Sequence, residues 1–210
     1  MHEIALDKFQ GLSSSDLTGI FQLRYQTFKT RLEWDVETGN GEERDEFDHA
    51  DTVYIIAKSP EQTVDACWRL LPTTERYMLR DVFPELLHGT EAPNDPRIWE
   101  LSRFAVAQGK TGAQASAFGP LPIALMAESV RFARRSGIDR YVTVTSVAVE
   151  RLLKRQGINI HRIGPPIRIG VVLTVACVIE LDGQTAEALG VDHAPDGLDG
   201  VSAFVMTGVA

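Results

Sequence analysis

Apolar and polar positions follow two rhythms along this chain. Leu17, Ile20, Phe21, Arg24 and Phe28 recur near the 3.6-residue period and predict a helix running to about Arg31. Ser13-Ser14-Ser15-Asp16 supplies its cap candidates. Runs rich in β-branched and aromatic residues predict strands at 53–58, 64–71, 98–106, 141–147 and 171–181. Pro120 and Pro122 open a helix through 121–135 that ends near Gly137. A further helix fits 148–156 and stops at Gly157, with Val149, Leu152 and Leu153 inward and Arg151, Lys154 and Arg155 toward solvent. Between 36 and 51 the chain is rich in glycine and acids and has no period, which predicts a loop of about 15 residues. Such loops in compact domains are usually functional or disordered. Strands mixed with helices predict an α/β fold, a three-layer α/β/α sandwich, as one domain over 1–190. The weak signals after Gly183 predict a weakly structured tail over 191–210.

Three positions break these rhythms. Arg24 lies in the middle of an apolar helix stripe, where it must either snorkel out or meet a buried anion. In Trp99-Glu100-Leu101-Ser102-Arg103-Phe104, strict alternation puts Glu100, Ser102 and Phe104 on one face and Trp99, Leu101 and Arg103 on the other. Buried strands of α/β sheets usually read as continuous apolar runs, so Glu100 and Arg103 are costly there unless they pair or work. A structural salt bridge would satisfy them as well as chemistry would. Arg69, in Cys67-Trp68-Arg69-Leu70, repeats the anomaly on another strand.

Composition narrows the class. The 210 residues are enough to bury a sizeable core, and 44% hydrophobic with 24% charged residues is ordinary for a globular protein. Neither a membrane-spanning run nor a signal-peptide pattern is visible, so a cytoplasmic protein with no membrane partner is expected. Cys67 and Cys177 sit in apolar segments and read as buried free thiols. A net charge of −8 argues against general nucleic-acid binding. The charge is nevertheless segregated: 33–51 carries nine acids and one base, whereas 131–168 carries nine bases and two acids. That fits a cationic ligand at one region and an acidic partner at the other, or simply two solvated faces. The chain has no dinucleotide glycine motif, Walker loop or nucleophile elbow, and no Cys/His spacing suited to zinc, so neither a metal nor a cofactor is expected.

The same residues carry a resemblance. Arg24, Phe28 and Trp34 form R-x-x-x-F-x-x-x-x-x-W, and Asp45 and Asp48 form D-x-x-D. Arg69, Phe83, and then Glu100 with Arg103 in Trp-Glu-Leu-Ser-Arg-Phe, complete nine positions in order. Over roughly residues 4–185 the chain resembles the LuxI-type acyl-homoserine-lactone synthases, with Ala66 standing where that family often has glycine. The resemblance implies a GNAT-like architecture with a mixed, mostly antiparallel central sheet. It also implies a reaction in which the amine of S-adenosylmethionine, a substrate, attacks an acyl thioester and the methionine carboxylate then closes the lactone, releasing methylthioadenosine.

Under that resemblance Glu100 is the candidate base, acting through water, because only about a tenth of an α-amino group is neutral at pH 7. Asp45 and Asp48 either attract the cationic substrate or anchor Arg24, Arg69 and Arg103. Phe28 and Trp34, with Phe104, offer aromatic faces to S-adenosylmethionine, although core packing would also account for Phe28 and Trp34. Donors for the thioester oxyanion are expected among backbone N–H groups near Ser102 to Phe104. Thr145 and Ser102 are assigned to acyl-chain selectivity, and Thr145 implies a medium or long chain bearing oxygen at its third carbon, with the apolar face after Pro120 and the strand 142–147 lining the channel. Arg151, Lys154, Arg155 and Arg168 form a basic surface for acyl–acyl carrier protein, the expected donor. A GNAT-like acyl-coenzyme A N-acyltransferase and a non-catalytic acyl- or carrier-protein-binding protein are the alternatives. The first lacks a clean pyrophosphate loop, since Arg134-Arg135-Ser136-Gly137-Ile138-Asp139 fails at its last position, and the second leaves Glu100 and the three arginines unexplained.

Overall fold

The structure, a computed structural model, describes residues 2–108 and 119–191. In chain order it contains β1 (Glu3–Lys8), α1 (Ser14–Arg24), β2 (Thr38–Gly39), β3 (Glu42–Glu43), β4 (Val53–Lys58), β5 (Val64–Pro72), α2 (Met78–Asp81) and β6 (Ile98–Val106). There follow α3 (Pro120–Ser136), β7 (Arg140–Ser146), α4 (Val147–Arg155), β8 (Ile160–Arg162), β9 (Ile167–Ile169), β10 (Val172–Glu180) and α5 (Gly183–Ala188).

One sheet takes the order β1-β4-β5-β6-β7-β10-β8, with β9 also paired to β10. Only β6 and β7 run parallel; every other pair in this sheet is antiparallel. The fold is therefore the expected α/β sandwich on a mixed, mostly antiparallel sheet. On one face α3, α4 and α5 pack over Trp68, Leu70, Leu101, Tyr141 and Cys177. On the other, α1 covers Tyr54, Ile56 and Cys67, while α2 and the segment behind it cover Leu71, Val142 and Ala176. Fully buried side chains such as Ile20, Ile55, Leu70 and Leu125 each contribute about 1.5–3 kcal/mol relative to exposure. Both cysteines are free and buried. Among the described residues no helix is long and apolar enough to cross a membrane.

Local chemistry sets the ends of the helices. The Ser13 hydroxyl accepts the Asp16 N–H at 3.1 Å, which opens α1. Beyond Arg24 this helix widens into a π-type segment, Tyr25–Arg31, and the chain is redirected toward the acidic loop. Gly137, at φ +67, closes α3 in the left-handed conformation that glycine tolerates.

Four expectations need correction. The loop over 36–51 contains the hairpin β2–β3 and turns its glutamate Glu43 fully inward. On α4 Leu153 is buried and Val149 packs against the core as expected, but Val147 and Glu150 share that inward face; Glu150 is buried because Arg162, at 2.6 Å, and Lys154, at 2.8 Å, hold its carboxylate. On β7 the alternation sends Val142 and Val144 to the α2 side and leaves Tyr141 in the α3 core, where Val147, the first residue of α4, joins it. At the C-terminal end α5 forms, and Leu189 and Val191 are buried in the main core. The rest of the expected tail, 192–210, lies outside the described residues.

Candidate active site

The side chains that broke the sequence pattern converge on the α1 side of the sheet. Arg24 reaches them from the last turn of α1, Arg69 from β5, and Glu100, Ser102 and Arg103 from β6. The loop between β3 and β4 brings Asp45 and Asp48 over the sheet, with Glu43 immediately before them.

Arg24 is completely buried and does not snorkel. Its Nε donates to Glu43 at 2.5 Å and its Nη1 to Asp48 at 2.8 Å. Arg69, also completely buried, donates to Asp45 at 2.5 and 3.1 Å, to Asp48 at 2.7 Å and to the Ser102 hydroxyl at 3.1 Å. Arg103 pairs with Glu43 at 3.0 Å and Asp45 at 2.9 Å. Tyr54 donates its hydroxyl to the Asp48 oxygen that both Arg24 and Arg69 use. Three guanidinium groups thus face three carboxylates, which is how the fold tolerates so many charges away from water. Burial disfavours ionised Asp48, yet Arg69 and Arg24 hold its carboxyl well below the usual range. Burial likewise opposes charge on Arg24, and Asp48 and Glu43 more than offset it. Asp45 and Asp48 therefore take the anchoring arrangement rather than presenting free negative charge.

Glu43 was not among the sequence candidates. The signal for it was a charge count: three buried arginines against two aspartates leaves one cation unbalanced.

Glu100 stands apart from this lattice. Its two carboxylate oxygens accept the N–H groups of Met78, at 2.9 Å, and Leu79, at 2.7 Å, at the start of α2. Burial pushes its carboxyl up to about 7, against the pull of those two donors and of Arg69 and Arg103.

The strict alternation expected of β6 fails at Arg103. The β5–β6 register shifts between Cys67 and Arg69, and Arg103 adopts φ +57. This β-bulge puts Arg103 on the same face as Glu100 and Ser102. It also moves Phe104 to the opposite face, where its ring meets Trp68 edge-on at 4.9 Å in the α3 core. Phe104 is thus separated by the sheet from the other residues assigned to S-adenosylmethionine.

Phe28 and Trp34 stack at 5.2 Å, and the Arg103 guanidinium lies over Phe28 at 5.4 Å. Trp34 is 38% exposed, so this aromatic pair runs from the buried lattice to solvent. Phe83 instead packs against the α2-side core.

The two halves of the sheet part next to this site. The β6–β7 ladder joins Ile98–Leu101 to Arg140–Thr143 and no further. Thr143 donates its hydroxyl to the Leu101 carbonyl at 2.9 Å, at the point of separation. Beyond it β6 pairs with β5 alone and β7 with β10 alone, which leaves two facing backbone edges. Thr145, half-buried, lies on the β7 edge two residues past the fork. Arg151 and Arg155 are exposed on α4, Lys154 is engaged by Glu150, and Arg168 is exposed on β9. Cavities of about 460 Å³, beside Phe47 and Arg76, and about 360 Å³, over Val142 and Val178, open elsewhere, and Glu100 lines neither.

Comparison with known proteins agrees with this geometry. The family described as autoinducer synthase matches residues 8–189. An acyl-homoserine-lactone synthase of Aliivibrio fischeri (strain ES114) is 48% identical over 156 residues, covering 74% of this chain and 80% of that protein. The crystal structure of the AHL synthase LasI aligns with a TM-score of 0.83 at 38% identity, over 90% of this chain and 94% of that one. BjaI, a CoA-dependent acyl-homoserine lactone synthase solved with SAM and isopentyl-CoA, aligns with a TM-score of 0.80 at 28% identity, over 90% and 88% of the two chains. An acyl-CoA N-acyltransferase from Pseudomonas aeruginosa, 15% identical with a TM-score of 0.60 over 85% of this chain and 99% of that one, shares the fold alone.

Proposed function

The chain belongs to the autoinducer synthase family and is an acyltransferase, and from that premise we propose that it makes an acyl-homoserine lactone from S-adenosylmethionine and an acyl–acyl carrier protein. The observation that carries this reading is a buried carboxyl, Glu100, clamped on two backbone N–H groups beside a charge-balanced arginine lattice at a fork in the sheet.

In the first step the neutral amine of S-adenosylmethionine attacks the thioester carbonyl. A C–N bond forms, the C–S bond breaks, and the amine proton passes to the departing thiolate. A carboxyl near 7 is matched to an α-amine that titrates near 7.7–8.0. Each Glu100 oxygen keeps a lone pair after accepting its backbone N–H, so it can take the amine proton through a bridging water. The unpaired edge of β6 after Leu101 supplies N–H donors for the thioester oxyanion. In the second step the methionine carboxylate displaces sulfur from its own γ-carbon, giving the lactone and neutral methylthioadenosine. Both steps balance with no cofactor.

Phe28 and Trp34 form the aromatic wall for the sulfonium or adenine. The acyl chain runs on the α3 side, past Thr145, whose hydroxyl hydrogen-bonds an oxygen on the third carbon; the chain is thus a medium or long 3-oxo or 3-hydroxy chain. Arg151, Arg155 and Arg168, with Lys154 steadied by Glu150, face the acidic carrier protein. Two buried free thiols fit a cytoplasmic setting.

Mass spectrometry of products from purified protein, S-adenosylmethionine and a panel of acyl–carrier proteins tests the proposal. A lactone accompanied by methylthioadenosine supports it. Coenzyme A thioesters as the sole competent donors would replace the carrier-protein assignment, and folded protein that forms no lactone from either donor would end the reading.

A further inference from the structure

Every carboxylate in the lattice has a sequence motif behind it except Glu43. It is completely buried, and its two oxygens are divided between two arginines: Oε2 takes Arg24 Nε at 2.5 Å and Oε1 takes Arg103 Nε at 3.0 Å. We propose that Glu43 is a positioning residue that fixes the Arg103 guanidinium so that its Nη1 edge receives the carboxylate of the amino-acid substrate.

The division of Arg103's donors supports this. Nε is spent on Glu43 and Nη2 on Asp45, whereas Nη1 has only the Met78 sulfur, a weak acceptor, at 3.5 Å. Nη1 is the edge left for an oxygen brought in from outside. Arg103 also sits at φ +57, a left-handed backbone conformation that a non-glycine residue adopts only when its surroundings hold it there. Without an anchor its side chain has neither a preferred backbone nor a fixed direction. Glu43 supplies the anchor from sixty residues away, and because it also holds Arg24 it locks two arginines in one motion.

The role rests on S-adenosylmethionine being the substrate, so the test separates the two claims. Glu43→Gln keeps the shape and removes the charge. Its affinity for S-adenosylmethionine, read by titration calorimetry without acyl donor, should fall roughly ten- to hundredfold, the usual worth of a hydrogen bond to a charged group. In turnover the Michaelis constant for S-adenosylmethionine should rise by a similar factor, and that for the acyl donor should stay within twofold. In an Arg103→Ala background the same change should add less than twofold, because its effect passes through Arg103. Glu43→Asp, charged but too short to span both Nε atoms, should fall between wild type and Glu43→Gln.

Unchanged affinity in folded Glu43→Gln, or an equal loss with and without Arg103, overturns the role. So does loss of the fold in both Glu43 variants, which would assign the residue to stability alone. Wild-type protein that does not bind S-adenosylmethionine would instead sink the substrate assignment.

Discussion

The Glu100 carboxylate accepts the backbone N–H of Met78 at 2.9 Å, tying β6 to a helical turn that lies 22 positions earlier in the chain. The side chain assigned to proton transfer is therefore also the clamp on α2. Those two duties pull its ionisation in opposite directions, since the clamp favours the carboxylate and burial favours the acid.

Glu100→Gln separates the duties. Wild-type kcat/KM should rise with pH through a midpoint near 7, and the variant should lose that limb along with roughly 10²–10⁴ of the rate. Stability should respond in the opposite sense. A carboxyl raised from 4.5 to about 7 binds its proton more tightly when folded, so wild type loses stability relative to the variant as pH rises across that interval. At 1.36 kcal/mol per pH unit the relative loss is about 3 kcal/mol. Urea unfolding at pH 4.5 and pH 8 measures it, and parallel curves for the two proteins would refute the assignment.

Asp48→Asn should destabilise by about 3–5 kcal/mol at pH 7, because Arg24 and Arg69 would lose their shared buried counter-ion. The Asp48 carboxyl is held below its ordinary 3.8, so its stabilisation is present above that value and is lost only as pH falls below it. The stability gap between wild type and variant should stay level from pH 5 to 8 and close below pH 4.

Much of this lattice was legible in the sequence, and the reasons differ for each part. Arg24 in an apolar stripe and Glu100 in a buried strand are visible because each contradicts its own period. β4 is a nearly continuous apolar run, β5, β6 and β7 are rich in apolar, aromatic and β-branched residues, and α3 is punctuated by Pro120 and Gly137. The bulge at Arg103 was not legible, because it needs a left-handed arginine that no local signal announces. One extra residue there inverted the predicted face of both Arg103 and Phe104. Edge strand β1 was missed because Ile4 and Leu6 pack to one side and Ala5 to the other, which looks like no clean alternation. The burial of Glu150 on α4 was not legible because its partner Arg162 comes from a later element, β8.

Thr145→Ala should reduce the preference for 3-oxo or 3-hydroxy over plain acyl chains by roughly two- to tenfold, the net value of one hydrogen bond. Competition between paired acyl–carrier proteins of equal length reads the ratio. A ratio identical to wild type would remove Thr145 from chain selection.

Arg151→Glu combined with Arg155→Glu should raise the Michaelis constant for acyl–carrier protein about tenfold at low salt, with the effect shrinking as ionic strength rises. These two positions are preferable to Lys154, whose reversal would leave Glu150 facing a second acid. Salt-independent kinetics equal to wild type would place the docking surface elsewhere.

The division of the sheet into two faces bears on how such a signal diversifies. The lattice around Arg69 and Glu100 occupies one side, and Trp68, Phe104 and Leu125 occupy the other. Substitutions on the α3 side should combine additively with those in the lattice, because a strand layer separates them and they share no partner. With the acyl chain on the α3 side, as proposed, the acyl half of the message can drift through ordinary repacking while the lattice stays as it is, so that new dialects arise without rebuilding the grammar of the reaction.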